Sequence, residues 1–137
     1  MTSSIHVDSW TGILLAFVAY FILGALWFTT ILKKAYLRSL GKEDAGQKPS
    51  PIFIVGPALC TLVITISSAI LMNALAIDSY RDATMFSMII GIGYLFANTV
   101  NIAINPNIPR PILYGMISGT YHLVGIFVCC LILYTFR

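Results

Sequence analysis

Four long stretches without Asp, Glu, Lys or Arg dominate this 137-residue sequence. They cover residues 9–32, 49–77, 83–109 and 111–136, with lengths of 24, 29, 27 and 26 residues. A helix rises 1.5 Å per residue, so about 20 apolar residues cross the hydrocarbon core of a bilayer. Each stretch is long enough for one crossing, and the sequence therefore predicts four membrane spans.

The composition supports this prediction. Charged residues make up 9% of the chain, hydrophobic residues 58%, and the mean hydropathy is +0.90. Soluble domains contain about 25% charged residues, so this chain has too few to cover a water-facing surface. A signal peptide explains the first stretch poorly, because no basic segment precedes it and no cleavage site follows before Lys33. We predict an all-α integral membrane protein with four transmembrane helices in one antiparallel bundle.

The predicted helices cover residues 11–32, 52–76, 83–105 and 111–136. No internal repeat or low-complexity tract divides the chain, so residues 1–137 are predicted to form a single transmembrane domain.

The first loop, residues 33–51, is the longest polar segment. Its beginning, "KKAYLRSL", fits two structures equally well. One is a short amphipathic helix on the membrane surface, with Tyr36, Leu37 and Leu40 facing lipid. The other is a solvated basic loop.

The basic residues are distributed unevenly between the predicted loops. Five of the eight lie between Lys33 and Lys48, Arg110 lies in the third loop, and only Arg81 and Arg137 lie on the opposite side. The positive-inside rule places loops one and three in the cytoplasm and both termini outside or in a lumen. The net charge of +3 fits this topology and contact with anionic lipid, and it gives no case for nucleic acid.

The third span contains "NTVNIAIN", in which Asn98, Asn101 and Asn105 follow an i, i+3, i+7 spacing. This spacing places the three amides on one face of a helix. A buried amide without a partner costs about 1–3 kcal/mol, so polar neighbours are expected. We predict that the asparagines lie in the seam between the third and fourth spans.

A short turn joins these spans, so facing residues should have numbers that sum to about 216. The predicted pairs all join a polar or small residue of the third span to one of the fourth. They are Asn101 with Gly115, Asn98 with Ser118, Tyr94 with His122, and Gly91 with Gly125.

His122 is the only Asp, Glu, Lys, Arg or His within the predicted spans. Ionisable residues at membrane depth are candidates for function. A neutral imidazole can act as a base or a ligand, and the alternative is a structural histidine bonded to a tyrosine or asparagine. The catalytic candidates are His122, Tyr121 and Tyr94, and the substrate-binding candidates are Asn98, Asn101, Ser118, Trp27 and Tyr20.

Several classes of chemistry have no support in the sequence. The predicted spans contain no Asp or Glu, which argues against a carboxylate proton relay or a paired-carboxylate catalyst. The three cysteines and two histidines show no metal-binding spacing, and no phosphate-binding or dinucleotide motif is present. We expect no metal and no cofactor.

The leading hypothesis is a polar pocket between the first, third and fourth helices that binds a lipophilic small molecule. His122 would then contribute to binding alone, or it would act in acid–base catalysis. The enzyme would be an isomerase, a hydrolase that opens an epoxide, or a cyclase. The alternatives are an oligomeric transporter or channel lined by the asparagines, and an accessory membrane subunit. The expected partners are the bilayer and the lipophilic molecule, and a homo-oligomer is left open.

Two stretches of the chain resemble a known family. They are "LGALWFTTILKKAYL" and "IIGIGYLFANTVNIAI…ISGTYHLVGIFVCCLIL", of which "YHLVG" at residues 121–125 is the most specific piece. They are similar to the small four-helix membrane proteins catalogued as domain of unknown function 1761, although "NPNIPRP" departs from that family's third loop. The resemblance implies the four-helix fold and no established activity. It highlights Trp27, Asn98, Tyr121 and His122 without giving them roles.

The topology prediction can be tested by thiol labelling. A cysteine introduced as Gly46→Cys should react with a membrane-impermeant reagent only after the membrane is opened, because the basic first loop is expected in the cytoplasm. Labelling of Gly46→Cys in intact cells would contradict this orientation.

Overall fold

The computed structural model describes residues 9–43 and 50–137, and these are arranged entirely as helices and connecting turns. Two of the membrane helices contain a π-helical segment, which we call π1 and π2. In chain order the elements are α1 (Trp10–Leu26), π1 (Trp27–Ile31), α2 (Lys33–Ser39), α3 (Ile52–Ala74), α4 (Tyr80–Ile90), π2 (Gly91–Phe96), α5 (Ala97–Ala103) and α6 (Pro111–Thr135).

Four of these helical stretches are long and apolar enough to cross a membrane. Spans 1 to 4 are Trp10–Ile31, Ile52–Ala74, Tyr80–Ala103 and Pro111–Thr135. Their bounds agree with the predicted ones to within three residues, and the predicted fold class is confirmed.

The largest difference in bounds is at the start of span 3, which begins at Tyr80 rather than residue 83. Ser79 explains the earlier start, because its hydroxyl accepts a hydrogen bond from the backbone N–H of Asp82 at 3.0 Å. This contact satisfies one of the free N–H groups of the first helical turn. Ser9 caps α1 in the same way, through the N–H of Gly12.

The start of the first loop forms the helix α2, so the helical alternative is the correct one. Its Tyr36 faces the bundle, with ring centroids 4.8 Å from Phe28 and 5.8 Å from Tyr114. The predicted orientation of Tyr36 toward lipid is therefore wrong. Residues 44–49, including Gly46 and Lys48, lie outside the described part of the chain.

The fourth span, α6, is the central helix of the bundle and packs against α1, α4, π2 and α5. The best-buried part of the core lies where α6 meets α1, around Tyr20, Ile126, Cys129 and Cys130. Both π segments lie in helices that contact α6, so any change of helical phase in them changes which side chains reach it.

Glycines of spans 3 and 4 report how the two helices pair. A Cβ atom at Gly119 would meet Phe96, one at Gly115 would meet Val100 and Ala103, and one at Gly91 would meet Leu123. These contacts keep the predicted antiparallel register. The predicted pairing of Gly91 with Gly125 is nevertheless wrong, because Gly125 faces Tyr20 of α1.

The predicted position of the asparagines in this seam is also wrong. Ser87 and Gly91 of span 3 are buried, whereas Asn98 and Asn101 are exposed. The cause is π2, in which the N–H of Ala97 donates to the carbonyl of Ile92, five residues earlier. A π turn takes up one extra residue, and one residue corresponds to about 100° of rotation on an α-helix. The seam beyond π2 is therefore built by Val100 and its neighbours.

The contact of Gly125 with Tyr20 gives a stability prediction. We expect Gly125→Ala to destabilise the protein by about 1–3 kcal/mol, because the added methyl group overlaps the Tyr20 ring and both lie in a close-packed core. Thermal unfolding of the purified protein in detergent measures the effect.

The matched control is Gly56→Ala, where the added Cβ atom would be 4.0 Å from the nearest side-chain atom. This variant should unfold at the wild-type temperature or slightly above it, since alanine favours a helix. Equal unfolding temperatures for the two variants would contradict the described packing of α1 on α6.

Candidate functional site

The polar centre of the bundle is a contact between Tyr20 of α1 and His122 of α6. The Tyr20 hydroxyl oxygen lies 3.0 Å from Nδ1 of His122 and 3.3 Å from the His122 carbonyl oxygen. Tyr20 is fully buried, with no exposed surface, and His122 is half-buried. His122, the only ionisable residue that we predicted within the spans, is thus held by the Tyr20 phenol of the neighbouring helix α1.

A single arrangement of hydrogens satisfies both contacts of Tyr20. A hydroxyl group donates one hydrogen bond, and only its O–H can donate to the carbonyl oxygen of His122. The contact with the ring is then a bond from Nδ1–H to the hydroxyl oxygen. In this tautomer Nε2 carries the lone pair, and no described residue supplies a hydrogen bond to it. The geometry can therefore present a neutral base at Nε2.

A row of aromatic rings leads from this centre to the end of span 1. Measured between ring centroids, Tyr121 lies 5.5 Å from Tyr20 and 5.2 Å from Phe28. Phe28 in turn contacts Tyr36, and Tyr36 contacts Tyr114, at the distances given above. Edge-to-face and tilted pairs at these distances stabilise aromatic packing. The row fixes α1, π1, α2 and α6 relative to one another.

The remaining predicted site residues of spans 1 and 4 are Trp27 and Ser118. The indole N–H of Trp27, in π1, donates to the carbonyl of Ile117 at 3.0 Å. The hydroxyl oxygen of Ser118 is buried without a hydrogen-bond partner in the described chain. The structure thus brings Tyr20, Trp27 and Ser118 to the same helix pair as Tyr121 and His122.

The predicted site residues of span 3 lie elsewhere. Tyr94 is 66% exposed, and Asn98 and Asn101 are exposed on the same span. None of the three joins His122, so the predicted pairing of Tyr94 with His122 is wrong. Asn105 has a local role, because its amide donates to the Ile102 carbonyl and accepts from the N–H of Asn107 where the helix ends.

A cavity that we did not predict lies at the end of the bundle where α2 meets the start of α6. Its volume is about 590 Å³. Five basic side chains line it, together with the single carboxylate of Glu43; the basic residues are Lys33, Lys34, Arg38, Lys42 and Arg110. Within the described ranges none of the five forms an ion pair. The cavity therefore has a strongly positive lining with unpaired cations.

Local contacts hold the two walls of this basic cavity together. The backbone N–H of Arg110 donates to the carbonyl of the fully buried Ser39 at 3.2 Å. Gly41 ends the turn after α2 with a φ of +68°, a conformation that favours glycine, and packs against Pro109. The third loop is thereby fixed against the first.

Tyr36 lies on α2 beside the lysines without adding negative charge to the cavity. Burial, and then the neighbouring Tyr114, raise the pKa of Tyr36 to about 12, so the phenol is neutral at physiological pH. The sequence contains one signal for this cavity. The topology prediction places Arg110 and the first-loop lysines on the same side of the membrane.

The described residues contain no cluster of three His, Cys, Asp or Glu side chains that could hold a metal ion. Cys129 and Cys130 are buried in the core, and Cys60 is exposed on α3. The sulfur of Cys129 lies 3.8 Å from the hydroxyl of Thr65, a contact between two packed helices. The chemical groups available at the site are therefore imidazole, phenols and cations.

Four apolar spans, with α6 at the centre of the bundle, define a multi-pass helical membrane protein. Within that class, the chain belongs to the family described as Protein of unknown function (DUF1761), which matches residues 11–134. The resemblance seen in the sequence is thus confirmed over nearly the whole chain. No curated protein and no solved structure shows a significant match.

Proposed function

We propose that the protein binds a lipophilic anion at the cytoplasmic surface of the membrane. The anionic group lies in the basic cavity, and the apolar part extends into the bilayer. The observation that carries this proposal is the convergence of five cations on one cavity beside the membrane spans.

The position of the cavity supports an amphiphilic ligand. Lys33 and Lys34 begin two residues after Ile31, the last residue of span 1, and Arg110 directly precedes span 4, which begins at Pro111. A ligand held by these residues is at the boundary between water and hydrocarbon. Its anionic group can meet the cations while its apolar part stays among the lipid chains, and no apolar pocket inside the bundle is required.

The charges of the cavity support an anion such as a carboxylate or a phosphate. Arg38 of α2 and Arg110, directly before α6, both line the cavity, and a guanidinium binds such oxygen atoms through paired N–H donors. Each basic residue near an anionic lipid surface contributes about 1 kcal/mol, so five acting together favour binding even when partly solvated.

The same residues support the proposed cytoplasmic location of the cavity. Residues of loop one and loop three line the cavity together, which supports a topology with both loops on one side of the membrane. The positive-inside rule favours the cytoplasm as that side, because these two loops carry six of the eight basic residues.

The proposal predicts a charge-specific loss of binding. In nanodiscs of phosphatidylcholine, the purified protein should bind fluorescent phosphatidic acid, and Arg110→Gln should weaken this binding about fivefold, as expected for one basic residue near an anionic lipid. Titration of the labelled lipid by fluorescence measures the change. Added salt should weaken binding to the wild-type protein as well, because the cavity is open to water.

Arg81→Gln is the matched control, since Arg81 is an exposed arginine outside the cavity and undergoes the same change of charge. Its binding should equal that of the wild-type protein. Equal losses in Arg110→Gln and Arg81→Gln would show that only overall charge matters, and absence of binding to the wild-type protein would refute the proposal.

A second candidate function is acid–base chemistry on the apolar part of a bound molecule. The distance of 3.0 Å between the Tyr20 hydroxyl and His122 Nδ1 favours it, because this contact orients the imidazole and leaves Nε2 as a base. The reaction class is proton transfer at carbon or oxygen, as in an isomerisation or a cyclisation.

This candidate predicts that His122→Gln folds, since an amide can replace one hydrogen bond to Tyr20, and that it loses proton transfer. A general base contributes about 10²–10⁴-fold to a rate. The measurement is protein-dependent incorporation of deuterium from heavy water into extractable lipids, followed by mass spectrometry. Tyr20→Phe should reduce incorporation less, because it removes the orienting contact and leaves the base. Incorporation at the wild-type rate in a folded His122→Gln protein would make His122 a structural residue.

A further inference from the structure

One face of span 3 carries polar and small side chains that point away from the bundle. Gly93, Tyr94, Ala97, Asn98 and Asn101 are all exposed, and we call them the outer face of span 3. No described residue forms a hydrogen bond with the side chain of Tyr94, Asn98 or Asn101. The outer face is separate from the basic cavity, whose lining contains no residue of span 3.

This face is poorly suited to contact with lipid. Asn98 lies five residues before Ala103, the last residue of span 3, which places it about 8 Å inside the span, and Tyr94 lies about 14 Å inside it. An amide with no partner in hydrocarbon loses its hydrogen bonds to water without replacement. Contact of this face with a polar group of another helix would give the amides hydrogen-bond partners again.

The small residues of the outer face allow such a helix to approach closely. Gly93 and Ala97 are four residues apart, and this small-x-x-x-small spacing is typical of contacts between membrane helices. A Cβ atom placed on Gly93 would meet no atom of the chain within 4 Å, so nothing in the described bundle fills this space.

Self-complementary side chains favour a second copy of this chain as the partner. Two copies inserted with the same orientation are related by a two-fold axis along the membrane normal, so each residue meets the same residue of the other copy at equal depth. Such an interface requires side chains that are complementary to themselves. An amide donates through nitrogen and accepts through oxygen, so Asn98 can pair with Asn98 and Asn101 with Asn101.

We propose that the outer face of span 3 binds the same face of a second copy of this chain, forming a parallel homodimer held by paired asparagine amides. The interface goes beyond the proposed ligand binding, because it uses a different helix and different chemistry. The phase shift at π2 generates it: a continuous α-helix would place these amides in the seam with α6.

The test is disulfide crosslinking in native membranes with two differently tagged copies expressed together. In a Cys60→Ser background, which removes the exposed native cysteine, Ala97→Cys should form a linked species that carries both tags. Val63→Cys is the matched control, because Val63 is an exposed residue of span 2. It should remain unlinked.

The role of the amides is tested by adding Asn98→Leu and Asn101→Leu to the Ala97→Cys chain. The linked fraction should fall about tenfold, because two interhelical amide pairs are lost. The double-leucine chain should unfold in detergent at or above the wild-type temperature, since both side chains point away from its own core.

Each of the following outcomes would overturn the homodimer. They are the absence of linkage at Ala97→Cys, equal linkage at Val63→Cys, and undiminished linkage in the double-leucine chain. A linked product with a different protein would equally refute the proposal that the partner is a second copy. Unfolding of the double-leucine chain would show that the amides serve the bundle itself.

Discussion

The bundle depends on the close approach of α1 and α6 at Tyr20. The Tyr20 ring occupies the space that a side chain at position 125 of α6 would need. Its hydroxyl contacts His122, which lies about one turn before Gly125 on α6. Glycine at 125 and histidine at 122 are thus two parts of one contact, the first steric and the second polar. In a membrane, close packing and interhelical hydrogen bonds drive helix association, because lipid chains are as apolar as the helix surfaces. This contact supplies both, and the aromatic row extends it to Tyr36 beside the basic cavity.

The second constraint is the helical phase of span 3. A helix that packs along its whole length against a straight partner presents one continuous face, and the spacing of Ser87, Gly91 and Asn98 follows such a face in the sequence. The π turn between them divides the face into two halves with different neighbours. Before the turn the small residues pack on α6, and after it Val100 and Ala103 take that place while the amides turn outward. The polar and small residues of span 3 are therefore divided between two surfaces, one that packs on α6 and one that faces outward.

The features that the sequence predicted correctly are those set by local constraints. The spans follow from charge-free length, which the bilayer thickness makes decisive, and the register of spans 3 and 4 follows from the short turn that joins them. The orientation of Asn98 did not follow, because residue spacing is interpreted with an α-helical period and carries no mark of an inserted π turn. The basic cavity could not be predicted from the sequence either. It requires the bond between Ser39 and Arg110, two residues far apart in the chain whose meeting depends on tertiary packing.

The three asparagines of span 3 show how depth decides the role of a single residue type. Asn105 lies at the end of the helix, where the free carbonyl of Ile102 and the free N–H of Asn107 give its amide both partners from its own turn. One and two turns deeper, the backbone is saturated by helical bonds, so Asn101 and Asn98 find no such partners within their own helix. Asn101, nearer the interface, can still reach water or headgroups, and its exposure costs less free energy. Asn98 has neither option, so it is the residue for which a second helix matters most.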